Sequence, residues 1–171
     1  MELAQELLDK LYGCVEEVRL YEVPLFALDI ERMERRGQAA QKQDFSHSDF
    51  DLAKQFAAAD TIVIAAPYWD LMFPAVLKIY LENITVSGVT FRYSDQGRPE
   101  SLCSAKKLYY VTTSGGFIGE NDFGFSYVKT LAKNFFGINE VHRYAAEGLD
   151  IVGADMKRIL SDVKAEIAKD T

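Results

Sequence analysis

The sequence predicts an α/β fold, a doubly wound parallel sheet with helices on both faces, and three observations carry that reading. Residues 61 to 66 (Thr-Ile-Val-Ile-Ala-Ala) form an unbroken β-branched, apolar run, as a strand covered on both faces requires. Two further strand patterns lie at Lys107 to Thr113 and near Glu140 to Ala146. Between and after them, apolar residues recur at helical spacing, so helix and strand alternate, the signature of right-handed crossovers between parallel strands.

Taken in order, Leu3, Leu7, Leu8 and Leu11 make one apolar stripe that stops at Gly13, so a helix opens the chain with no evident cap. From Val15 to Tyr21 apolar and polar residues alternate, with Val18 and Leu20 against Arg19 and Tyr21, until Pro24 ends the run; this predicts a short, edge-proximal strand. Residues 29 to 45 are charged and Gln-rich and read as a surface excursion. Ser46 and Asp49 have capping-box spacing, and Phe50, Ala53, Phe56 and Ala57 follow on one face, predicting a helix from about Ser46 to Ala59.

Pro67 ends the apolar strand. From Pro74, the positions Val76, Leu77, Tyr80, Leu81 and Ile84 mark a helix with proline in its first turn, closed by Gly88. Ser94 to Ser104 reads as a polar segment before the strand at 107, which runs into Ser114, Gly115 and Gly116. A helix with Tyr127, Val128, Leu131 and Phe135 on its buried side comes next, and after the strand near 140 a last helix carries Met156, Ile159, Leu160, Val163 and Ile167.

Bulk properties narrow the function classes. The 171 residues, 49% of them apolar, suit one domain spanning 1–171. A formal charge of -7, with the basic residues scattered, speaks against a nucleic-acid partner. No apolar stretch approaches the roughly 20 residues of a membrane span, and Met1 leads into an amphipathic segment rather than a signal peptide, so a cytoplasmic location is expected. Cys14 and Cys103 form no CxxC pair and only His47 and His142 could join them, so no metal site is expected and the thiols are expected to be buried.

In an open parallel sheet, ligands bind outside the carboxyl ends of the strands. Two strand ends suit this. Pro67-Tyr68-Trp69-Asp70-Leu71 offers a flat aromatic wall and backbone N–H groups, and Thr113-Ser114-Gly115-Gly116 lets the backbone approach a ligand closely. Proline and glycine end strands in many proteins, so each loop alone is weak, but together they could grip a planar heterocycle by its edges. No side-chain acid or base is singled out as catalytic.

Four segments occur in an order that carries a family resemblance: 65 to 71 (Ala-Ala-Pro-Tyr-Trp-Asp-Leu), 88 to 93 (Gly-Val-Thr-Phe-Arg-Tyr), 112 to 116 (Thr-Thr-Ser-Gly-Gly) and 146 to 148 (Ala-Glu-Gly). The chain resembles the FMN-dependent NAD(P)H:quinone reductase and azoreductase family. That resemblance implies a flavodoxin-like fold, a homodimer and a ping-pong cycle. In it NADH or NADPH passes a hydride to N5 of FMN and leaves, and a quinone, azo or nitro compound takes the hydride. It also implies that Pro67, Tyr68, Trp69, Asp70, Leu71, Thr113, Ser114, Gly115 and Gly116 contact the flavin, and that Phe91, Tyr93 and Phe135 line the acceptor pocket. The family's common asparagine in the first loop is Asp70 here, and its frequent arginine between Thr113 and Gly115 is Ser114. Arg92 or Lys106 is the expected local attraction for an anionic nicotinamide nucleotide.

A flavodoxin-like sheet is built around its first strand, whose following loop holds the FMN phosphate at a helix N-terminus. The 171 residues are expected to open inside that helix, without strand or loop. Charge-assisted hydrogen bonds contribute roughly 1.5 to 3 kcal/mol each, so three or four of them rival the roughly 8 kcal/mol of a micromolar site. Weak FMN binding and unpaired strand edges follow as expectations, the latter closed by oligomerisation or by a disturbed sheet. The alternative reading is a non-catalytic flavodoxin-like interaction subunit that binds no FMN. A receiver-like regulatory domain needs clustered aspartates at strand ends, whereas Asp60 precedes its strand and Asp70 stands alone.

Overall fold

The computed structural model describes residues 2–170. In chain order the elements are α1 (Glu2–Leu8), α2 (Ile30–Lys42), a single 3-10 turn (Ser48–Phe50), α3 (Asp51–Ala58), β1 (Thr61–Pro67), α4 (Ala75–Ile84), β2 (Phe91–Tyr93), β3 (Pro99–Ser101), β4 (Lys107–Thr113), α5 (Phe123–Asn134), β5 (Glu140–Ala146) and α6 (Met156–Asp170).

β1, β4 and β5 form a parallel sheet in the order β1-β4-β5. Thr61 faces Lys107, which faces Glu140, and the register ends with Pro67, Thr113 and Ala146 side by side. The flavodoxin-like α/β class predicted from the sequence is therefore present, and the sheet's carboxyl edge is a straight rank of three strand ends.

Alternation along the strands sorts side chains between two cores. Ile62, Ile64, Leu108 and Tyr110 face α3, α4 and α5, where Phe56, Leu77, Leu81, Val128 and Ala132 meet them. Tyr109, Val111, Tyr144 and Ala146 face the other way, onto Leu3 and Leu7 of α1 and Val163 and Ile167 of α6. An isolated helix as short as α1 is unstable in water. Its two buried leucines and an ion pair between Glu2 and Lys164 dock it on α6. Among the described residues, no helix is long and apolar enough to cross a membrane.

Five sequence expectations need correction. Val15 to Tyr21 is not a strand, and Val15 and Tyr21 are exposed. β1 pairs with β4 on one edge and with no strand on the other among the described residues, so the alternating segment has no ladder to join. Leu20 still packs against the larger core. Residues 29 to 45 hold a helix, α2, capped by Asp29 accepting from the Arg32 N–H at 2.8 Å and closed by Gln43 at φ 53°. Its apolar signal is weak because it docks through polar ties. Arg36 donates from Nη1 to the Glu82 carbonyl (3.0 Å) and from Nη2 to that of Asn83 (2.9 Å), while Arg35 pairs with Asp49 at 2.5 Å.

The helix predicted from Ser46 begins later: His47 Nδ1 accepts from the Asp49 N–H at 3.1 Å, a 3-10 turn follows, and α3 starts at Asp51. The thiols are not both buried. Cys14 is exposed and Cys103 half-buried, each unpaired. The polar segment from Ser94 also contains β3, which pairs antiparallel with β2, a hairpin too short and too polar to show period-2 patterning. At its base the buried Thr90 hydroxyl accepts from the Val86 N–H (3.0 Å) and donates to the Ile84 carbonyl (2.8 Å).

Candidate functional site

The carboxyl edge of the sheet continues into two loops that are bonded to each other. The Tyr68 N–H donates to the Thr113 carbonyl at 2.9 Å, extending the β1-β4 ladder past its end. Trp69 and Met72 then exchange backbone bonds at 2.7 and 2.8 Å, closing a two-residue turn over Asp70 (φ 48°) and Leu71 (φ 68°). Such a turn needs positive φ at both central residues. For a leucine this costs roughly 1–2 kcal/mol, and strain of this kind concentrates at functional sites. The turn leaves Trp69 56% exposed beside the sheet edge.

After β4, Ser114 is tied inward: its N–H donates to the Ala146 carbonyl at 2.9 Å and its hydroxyl to the Gly116 carbonyl at 2.6 Å. The segment after β5 straps this loop down. Gly148, Leu149 and Asp150 donate backbone N–H groups to the carbonyls of Gly116, Ser114 and Gly115 at 3.1, 3.1 and 2.9 Å. A Cβ on Gly115 would overlap Asp150 Oδ2, which explains a glycine there, whereas one on Gly116 would meet nothing within 4 Å. Gly116 therefore faces open space, with Phe117 exposed beside it.

The backbone N–H groups of Asp70, Leu71, Gly115, Gly116 and Phe117 donate to no acceptor within the chain among the described residues. Five free donors next to an exposed indole suit a flat ligand with electron-rich carbonyl or ring-nitrogen edges. This donor set fits the edges of an isoalloxazine.

A charged cluster secures the second loop. Arg143 of β5 donates from Nε to Asp122 at 2.6 Å and from Nη2 to Glu147 at 2.9 Å. Asp122 also caps α5 by accepting from the Phe125 N–H at 2.8 Å, and Glu147 accepts from the Ile118 N–H at 2.9 Å. Burial pulls the Arg143 pKa down, but its hydrogen bonds to Glu147 and Asp122 outweigh this and hold it above the ordinary value. Sequence reading missed Arg143 and Asp122; the signal was a charged residue in the middle of the predicted strand near Glu140 to Ala146. Below the cluster, Tyr110 Oη and Thr112 Oγ1 are buried without a hydrogen-bond partner.

The structure thus brings Pro67 to Leu71 and Thr113 to Gly116 into one site, and gathers Phe91, Tyr93 and Phe135 elsewhere. Phe91 is buried and stacks edge-on against Tyr93 (5.3 Å) and Phe135 (4.9 Å). Phe135 caps the carboxyl end of α5, so the 12 residues of that helix, a rise of roughly 18 Å, separate it from Asp122 at the other end. Phe91 and Phe135 help line a groove of about 770 Å³ between α2, α4 and α5.

A parallel α/β sheet with two cross-linked loops at its carboxyl edge defines a protein of the doubly wound α/β class, in which ligands bind at that edge. The chain belongs to the family described as having a flavodoxin-like fold, whose match covers residues 1–170. It is 42% identical over 119 residues to FMN-dependent NADH:quinone oxidoreductase 2 of Clostridium acetobutylicum, over 67% of this chain and 58% of that protein. The chain therefore spans well under two thirds of this curated relative. An azoreductase structure from Bacillus anthracis str. Sterne superposes with a TM-score of 0.82 at 25% identity, covering 98% of this chain and 88% of that one. An FMN-dependent NADH-azoreductase from Bacillus anthracis str. Ames Ancestor, solved in complex with FMN, shares the fold with a TM-score of 0.79 at 21% identity, covering 98% and 85%.

Proposed function

We propose that the chain is the greater part of an FMN-dependent oxidoreductase that moves two electrons from NADH or NADPH to quinones, azo or nitro compounds by a ping-pong mechanism. The observation that carries the reading is the set of five free backbone donors on two cross-bonded loops beside Trp69. FMN, when bound, supplies the hydride-accepting and hydride-donating chemistry. The protein's part is binding and electrostatics. Asp70, Leu71, Gly115, Gly116 and Phe117 would hold the ring edge through their backbone N–H groups, and preorganised donors would favour the form that carries more negative charge there. Trp69 supplies the wall, and the closed turn under it keeps the wall in place without any ligand.

The aromatic trio of Phe91, Tyr93 and Phe135 serves the acceptor from a second copy in this proposal, because Phe135 stands at the opposite end of α5 from Asp122, which is tied to the second loop's cluster. A homodimer follows, each half completing the other. A second reading, a flavodoxin-like subunit that binds no flavin, is favoured by one observation: β1 lacks a partner strand on its outer edge among the described residues.

Titration of the purified 171-residue chain with FMN separates the two. Saturable quenching of flavin fluorescence, with bleaching on anaerobic addition of NADH or NADPH, is the expected result. Absence of quenching at millimolar FMN would establish the non-flavin reading instead.

A further inference from the structure

The groove between α2, α4 and α5 is mostly apolar, lined by Leu28, Met33, Phe91, Leu131 and Phe135, yet it holds one cation. Arg36 reaches it from α2 and bonds only backbone carbonyls, those of Glu82 and Asn83. Two of its five N–H donors are thereby used. No carboxylate lies within ion-pair distance of it among the described residues, in contrast to its neighbours Arg32 and Arg35, which pair with Asp29, Glu31 and Asp49. Glu82 also lines the groove, but its carboxylate is taken by Lys78. Burial lowers the Arg36 pKa, and Asp49 and Glu82 oppose this only from beyond ion-pair distance, so this guanidinium is partly desolvated without a carboxylate in contact.

We propose that this groove binds a flat aromatic anion, with Arg36 meeting its carboxylate and Phe91 and Phe135 flanking its rings. The volume of about 770 Å³ is in the range of small-molecule sites, and an apolar trough with one convergent charge is their usual composition. Charge complementarity selects the occupant. A neutral aromatic would leave the guanidinium unmatched, whereas a planar carboxylate can accept a forked pair of N–H bonds from it. Since Phe91 and Phe135 belong to the acceptor pocket of the proposed function, the inference narrows the acceptor to compounds bearing an acidic group; that step rests on the flavin reading, while the binding itself does not.

The test uses the flavin-free 171-residue chain with 2-naphthoate and its neutral isostere 2-naphthamide as probes, followed by calorimetry and by NMR. The wild type should bind the carboxylate at least about tenfold more tightly than the amide, as a charge-assisted bond to arginine implies. In Arg36→Gln that preference should fall to near unity with amide binding retained, which also shows that the variant is folded. Arg36→Lys should keep part of it, and Thr130→Trp, which fills the groove, should remove both ligands. Equal affinity for the two probes, a preference that survives in Arg36→Gln, or no binding of either probe because a second copy covers the groove would each overturn the proposal. None of these readouts needs FMN or NADH, so failure here is distinct from failure of the oxidoreductase reading.

Discussion

The Tyr68 N–H and the Thr113 carbonyl meet at 2.9 Å, one residue past the last paired positions of β1 and β4, and this bond makes two loops into one unit. A change in either loop is therefore felt in the other. The turn that follows Tyr68 is held in a conformation its residues do not favour, and that strain is measurable.

Leu71→Val should lower stability by about 1–2 kcal/mol, because a β-branched side chain tolerates positive φ least. Leu71→Gly should cost nothing measurable, since the side chain is half exposed and glycine accepts φ 68° freely. Urea denaturation of the two variants checks the order, and equal losses would show that the side chain's contacts, rather than its backbone, matter here.

The adjacent glycines should separate folding from binding. Gly115→Ala drives a Cβ into the Asp150 carboxylate and should destabilise by about 1–3 kcal/mol, most of it recovered in the double variant with Asp150→Ala. Gly116→Ala meets open space and should change stability by less than about 0.5 kcal/mol. If the loop contacts a flavin, the same methyl should weaken FMN binding at least about tenfold in a fluorescence titration.

Riboflavin tests how much of the affinity for FMN comes from the two loops. The free donors described at the carboxyl edge all suit the ring. FMN and riboflavin should therefore bind the 171-residue chain within about threefold of each other, a difference below 1 kcal/mol. A much larger advantage for FMN would reveal a phosphate contact elsewhere.

What the sequence made legible follows from how each element is stabilised. β1 was legible, apart from Pro67 at its end, because a buried parallel strand leaves an unbroken apolar run, while β4 and β5 appear where their mixed patterns lie. α2 escaped because arginines dock it and only Ala39 is buried, which leaves no apolar stripe to count. Val15 to Tyr21 was misjudged because alternation marks a surface able to pair, not a neighbour to pair with. At the site, both loops were legible from proline and glycine at strand ends. The strap from Gly148 to Asp150 and the Arg143 cluster were not, since their partners lie far away in sequence.

Arg143 should prove a keystone of the second loop. Arg143→Met leaves Asp122 and Glu147, with side chains 12% and 25% exposed, facing each other without their common cation. Solvent screening of the partly open side reduces the loss, so about 1–3 kcal/mol is expected in urea denaturation. Glu147→Gln should cost less, because the amide oxygen can still accept from the Ile118 N–H. The double variant should show coupling, since removing Glu147's charge relieves part of the damage done at Arg143.

Alkaline pH should unfold the protein through its buried phenols. Burial pushes Tyr80 and Tyr110 up to about 12 each, with Asp122 adding to the effect at Tyr110. An ordinary tyrosine ionises near 10, so the unfolded chain loses these protons first. For groups raised on folding, the contribution is fully present below pH 10 and is lost as pH rises through about 12, so the urea midpoint should fall across that window. Tyr110→Phe should flatten the fall, because it removes one of the two phenols whose ionisation is delayed by folding. A midpoint that stays level from pH 10 to 12 in the wild type would mean that both phenols reach solvent in the folded state.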